Sequence, residues 1–171
     1  MIDMKKMCFL ACACALSPAW ADNNLHFTGN LVANVCTLTL NGNTAAEVVF
    51  PPLSAGDLLS SDSAPVDFSF QLNDCDSSLS SGVRVSFSGN VVSELPGFLM
   101  LDAGSTASGI GIGIKTTAGD AVAVNDSAGA TFTLTSGNNT LHLNAVVRAI
   151  PGAEIAPGAF SSSATAMFEY L

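Results

Sequence analysis

GAFSSSATAMFEYL, residues 158–171, reads as one long β-strand. Phe160, Ala164, Ala166, Phe168 and Tyr170 fall on even positions and Ser161, Ser163, Thr165 and Glu169 on odd ones. A repeat of two residues therefore separates an apolar face from a wetter one, and the apolar face must be buried. The sequence stops on this strand. Such a strand is either a sheet edge, which proteins usually blunt, or one side of a sheet that takes a strand from another molecule.

Working outward, strand-like runs recur at residues 25–40, 48–53, 66–72, 83–87, 110–114, 130–134 and 141–150. Asn41-Gly42, Pro51-Pro52, Ser88-Gly89-Asn90, Ala118-Gly119-Asp120 and Ser136-Gly137-Asn138-Asn139 lie within or between them, and these residue types favour tight reversals. Helical periodicity is scarce, with room for a turn or two at residues 53–61. Short strands with frequent turn signals predict an all-β sandwich or barrel. No repeat or long linker divides the chain, and the Ser-rich stretch 76–82 reads as a loop tip.

The first 21 residues place Lys5 and Lys6 before an apolar run, residues 7–16, and end on a small-residue site at Ala19 and Ala21. This is the pattern of a secretory signal peptide, too short in its apolar run for a bilayer span of about 20 residues. Removing it leaves Cys36 and Cys75 of five cysteines, and an exported chain with two cysteines predicts one disulfide. It also removes Lys5, Lys6 and Asp3, which moves the formal charge from −9 to −10 and leaves Arg84, Lys115 and Arg148 as the strong cations. Phosphate binding needs clustered Lys and Arg, so nucleic acid is excluded as a partner, as is an anionic membrane surface. With 11% charged residues and positive mean hydropathy, the chain nevertheless has the composition to bury one core.

Nothing in the sequence favours catalysis. A nucleophile needs a nearby base held by an acid, and the two histidines, His26 and His142, alternate with apolar residues as strand residues do. Asp57, Asp62, Asp67, Asp74 and Asp76 read as solvated caps and turn formers. SGIGIGIK, residues 108–115, lacks the ending of a phosphate loop. It reads instead as a strand with Ile110, Ile112 and Ile114 inward and glycine outward, where another backbone approaches closely. No cofactor, metal or enzymatic activity is expected.

Three segments carry a family resemblance. HFTGNLVANVC, residues 26–36, places a G-x-[VL]-V strand before the first mature cysteine. ASGIGIGI, residues 107–114, matches an A-x-G-[IL]-G-[IL] strand. At the end, Gly158 stands thirteen residues before Leu171 and Tyr170 is penultimate. In this order the segments resemble the chaperone–usher pilins, subunits of type 1 and P-type fimbriae, across essentially the whole mature chain.

The resemblance implies an incomplete immunoglobulin-like β-sandwich that lacks its last strand. The implied acceptor groove lies beside Gly158, Phe160, Ala164, Ala166, Phe168 and Tyr170, with Leu171 supplying a carboxylate that a periplasmic chaperone holds. The implied partners are that chaperone, an outer-membrane usher and other fimbrial subunits, in a surface fimbrium that supports adhesion. Residues 1–21 are then a signal peptide, 22–35 a donor extension running into the first strand, and 36–171 the pilin domain. The expected donor face is Leu25, Phe27, Gly29 and Leu31, which share a spacing of two. The short, polar stretch ahead of His26 is unlike a major shaft subunit and points to a minor or adaptor subunit. The rival readings are a single-domain secreted adhesin or carbohydrate-binding module, a base terminator of the same fibre, and a secreted hydrolase.

Overall fold

A computed structural model describes residues 35–39 and 47–171. Among them the elements run β1 (Thr37–Thr39), α1 (Ala55–Leu58), β2 (Val66–Cys75), β3 (Gly82–Gly89), β4 (Val91–Val92), β5 (Leu95–Leu99), β6 (Ile110–Thr116), β7 (Ala130–Thr133), β8 (Gly137–Ala149) and β9 (Ala164–Tyr170). One sheet has the order β1-β2-β8-β6-β5-β4 and the other β7-β3-β9. Every pairing is antiparallel.

The core follows from alternation on the long strands. β2 and β8 pair Phe68 with Leu143 and Phe70 with Leu141, and Phe70, Leu72, Leu141, Leu143 and Val147 are buried. From the smaller sheet, Val83, Val85 and Phe87 of β3 join the same apolar cluster. On the opposite face of β8, His142 is exposed, as its alternation predicts. Cys36 and Cys75 form a disulfide across 39 residues, tying the chain just before β1 to the last residue of β2. In the chain-entropy model a loop of this size contributes roughly 4 kcal/mol.

Several expectations need correction. Residues 48–53 form no strand, because Pro51 and Pro52 have no N–H to give a ladder. β4 and β5 were not foreseen, since Pro96 and Gly97 punctuate the run, Gly97 takes a φ of +82° and the β4–β5 pairing shifts register. The short helix is present, with Ser54 Oγ accepting from Asp57 N. Asp67 and Asp74 lie in β2 rather than in turns.

The expected close approach of another backbone occurs at Gly109, where a Cβ would collide with the Glu154 carbonyl, and at Gly111, where one would lie 3.3 Å from Leu99 O, but not at Gly113. Ile110, Ile112 and Ile114 do face the core, but an aromatic ring, not a distant backbone, lies over Gly113. A Cβ there would fall 2.4 Å from Phe98 Cε1. The Arg148 guanidinium lies over the same ring, 4.7 Å from its centroid. Asp62 Oδ1 in turn accepts from Arg148 Nε at 2.5 Å, and Oδ2 accepts from Arg148 Nη2 and Lys115 Nζ, each at 2.8 Å. Asp62 is therefore not a solvated turn acid; it ties the segment before β2 to β6 and β8.

The Arg148 hydrogen bond, reinforced by that of Lys115 and both charges against an opposing desolvation cost, lowers the Asp62 carboxyl from 3.8 to about 2. A folded-state value below the unfolded one stabilises fully above the ordinary value and is lost as pH falls through about 2. Asp62→Asn should accordingly unfold more easily in urea than the parent near neutral pH, with the difference shrinking as pH drops through that window. Gly113→Val should cost about 1–3 kcal/mol through overpacking against Phe98, read from the same unfolding curves.

Candidate functional site

β9 pairs with β3 from Val83↔Tyr170 to Gly89↔Ala164. Among the described residues its other side has no ladder partner. Leu171 N donates to Gly82 O at 2.9 Å, which makes that facing pair a hydrogen-bonded one. Antiparallel ladders alternate, so Glu169, Met167 and Thr165 also bond to β3, while the N–H groups of Ala166, Phe168 and Tyr170 point to the free side. No residue of β9 is fully buried, although its partners Val83, Val85 and Phe87 are.

The other flank of β3 is treated differently. Beyond the end of β7, Asn125 N donates to Phe87 O at 2.7 Å. The Asn125 side chain then closes a two-way pair with Gly89, donating to its O at 2.9 Å and accepting from its N at 3.1 Å. A side-chain amide thus stands in for strand backbone on that side.

Beside β9 runs a cleft of about 1890 Å³. Phe68 and Phe70 of β2 line one wall, Ala164, Ala166 and Phe168 of β9 the other, and Phe87, Leu99, Ile110, Ile112 and Ile114 also line it. Phe70 and Phe168 meet edge to face at 5.1 Å between centroids. At one end, Phe50 and Phe160 close to 5.9 Å. Apolar side chains make up the larger part of the lining, with Asp67, Ser69 and Gln71 among the polar remainder, and the β9 wall carries a row of main-chain groups without a ladder partner among the described residues. Such a site takes an extended segment with a large apolar side chain at every second position.

The sequence-predicted residues fall as follows. Ala166, Phe168 and Tyr170 are half-buried and pack on the core, while Ala164 is exposed at the start of the ladder. Gly158 and Phe160 line the cleft but do not belong to β9. The expected single strand over residues 158–171 is thus two pieces. Residues 158–163 are held by the 100–107 loop: Thr106 N and Ala107 N donate to Ala159 O, Ala159 N donates to Thr106 Oγ1, and Ser161 N donates to Ser105 Oγ. The Leu171 oxygen lies 2.7 Å from Ser80 Oγ, whose single proton also has Gly82 O at 2.7 Å as an acceptor. Leu25, Phe27, Gly29 and Leu31 lie outside the described residues.

Three contributors were missed. Phe68 and Phe70 are legible as an inward pair by alternation, but which strand lies across from β9 depends on sheet order. Ser80, 7% exposed, sits in a stretch read as a loop tip, where nothing marks one serine among several. No group of three or more His, Cys, Asp or Glu able to hold a metal occurs among the described residues. None of their helices is long and apolar enough to cross a membrane.

Gly158 permits the close approach to the 100–107 loop. A Cβ there would lie 2.5 Å from Thr106 Oγ1 and 2.7 Å from Ala107 N, and the backbone at Ala107 has no rotamer with which to yield. Gly158→Val should release residues 158–163 from that loop, seen as faster amide exchange at Thr106 and Ser161, with β9 still paired to β3.

Comparisons with known proteins agree with this geometry. The family model described as "Fimbrial protein" matches residues 25–170. The chain is 47% identical over 152 residues to the fimbrial-like protein YfcP of Escherichia coli K12, covering 88% of this chain and 85% of that one. The crystal structure of the P pilus rod subunit PapA superposes with a TM-score of 0.69 at 27% identity, over 81% of this chain and all of that one. A chaperone–usher pilus structure concerned with rod uncoiling gives 0.69 at 26% identity, over 92% of this chain and all of its own. An immunoglobulin-like sandwich short of one strand, closed by the expected disulfide, is the pilin fold, and the chain belongs to the fimbrial protein family as a structural subunit of a fimbrium.

Proposed function

We propose that this subunit polymerises by donor-strand exchange. Its groove accepts the amino-terminal extension of a neighbouring subunit, and its own Leu25, Phe27, Gly29 and Leu31 enter the groove of the next. The observation that carries the reading is β9 itself: an edge strand with one apolar face turned to the core, one side paired, the other open among the described residues, and no fully buried residue. Each large apolar donor residue contributes about 1.5–3 kcal/mol on full burial, so three of them alongside a main-chain ladder make a durable non-covalent joint.

Before assembly the same groove needs a temporary occupant, because a sandwich open along its core exposes apolar surface that aggregates. In this reading a periplasmic chaperone lends that strand and holds the Leu171 carboxylate, and an outer-membrane usher exchanges it for the neighbour's extension. Residues 1–21 direct export, 22–35 form the donor segment, and the finished fibre stands on the cell surface. The chain builds and does not catalyse; binding of a partner strand is its chemistry.

The mature chain expressed alone should aggregate or unfold readily, and the same chain extended by a turn and a pilin donor peptide should be a soluble, heat-resistant monomer. Equal stability of the two forms contradicts the reading. Phe27→Asp should leave the extended form folded yet prevent this subunit from docking into its neighbour, measured by native gel or size exclusion.

A further inference from the structure

Several features meet in the turn formed by residues 76–81. Asp76 N donates to Val35 O at 2.8 Å, and Cys36, the next residue, is bonded to Cys75. The chain therefore enters the described domain beside this turn. The turn also carries Leu79, which is 51% exposed. Its next residue, Ser80, contacts Leu171, which is 46% exposed. Chain entry and two exposed leucines share one end of the sandwich, with Asp74 and Asp76 close by in sequence.

The donor reading just proposed, on which this step rests, sets a distance. Residues 32–34 alone separate Leu31 from Val35, so the two Cα atoms lie at most about 14 Å apart even when fully extended. A neighbour whose groove holds Leu31 must come that near to Val35. A domain of this size has a radius of gyration of about 14 Å, so two domains tethered this tightly touch.

We propose that the 76–81 turn, with Leu79 and Leu171, is a subunit contact face covered by a second copy of this chain, the copy whose groove holds residues 25–31. The apolar pair seats against apolar surface of the copy's groove, with Asp74 and Asp76 set away from Glu47 and Asp67, which line that groove. The inserted strand supplies the affinity of the joint; this face fixes the angle between successive subunits.

Hydroxyl-radical footprinting of joined and unjoined mature chains tests the contact. In joined copies the labelling of Leu79 and Leu171 should fall severalfold, while Leu59, 71% exposed at the end of α1, keeps its rate. Leu79→Asp should still join through its donor strand but return Leu171 to the unjoined rate. A joint that leaves both leucines as reactive as before overturns the contact while the donor reading stands, as does continued shielding of Leu171 in Leu79→Asp. If parent copies form no joint at all, the contact with a second copy is overturned, while the donor reading is decided separately by the Phe27→Asp docking test.

Discussion

The unpaired side of β9 is the constraint on which the rest of the structure turns. A buried main-chain N–H or carbonyl without a partner costs about as much as a lost hydrogen bond, and here every second residue along the β9 edge directs its main-chain groups into the cleft. Ala166, Phe168 and Tyr170 carry both problems at once, with side chains that are half-buried and N–H groups directed at nothing in the described domain. Lengthening the domain's own sheets would solve both, but the strand order leaves β9 at an edge. An added strand answers the ladder and the core together.

The remainder of the molecule holds that opening in shape. β9 is fixed to β3 over seven facing pairs, and its approach is fixed by the main-chain bonds of residues 158–163 to the 100–107 loop. The disulfide holds the chain entry to the end of β2, so the opposite wall keeps its place while the core is incomplete. On the outer face, Asp62, Arg148, Phe98 and Gly113 form a stacked layer that braces β6 and β8. Asn125 caps the other flank of β3 beyond β7, a closure that the free side of β9 lacks among the described residues.

Much of this was legible in the residues. The two-residue alternation of β2, β3, β6 and β8 yields the sandwich class, the inward isoleucines and the outward His142. The cysteine pair followed from counting what remains after the signal segment. The groove was legible only as a strand in want of a neighbour. Phe68 and Phe70 entered as its opposite wall once β2 was seen to flank β8 and β1, because alternation tells which way a side chain faces and not which strand lies across from it. Asp62 was misread because local composition cannot distinguish a solvated turn acid from one met by cations 53 and 86 residues away. Gly113 was read correctly as a place of close approach but assigned to backbone, since the Pro96-Gly97 kink that turns Phe98 onto the sheet disguised β5.

Residue-resolved amide exchange along β9 tests the central claim most directly. In the subunit freed of any partner, Thr165, Met167 and Glu169 should exchange slowly and Ala166, Phe168 and Tyr170 rapidly, and in the assembled fibre all six should be slow. Protection of Ala166, Phe168 and Tyr170 already present in the isolated subunit would contradict the account, because the open side of β9 would then be closed by the chain itself.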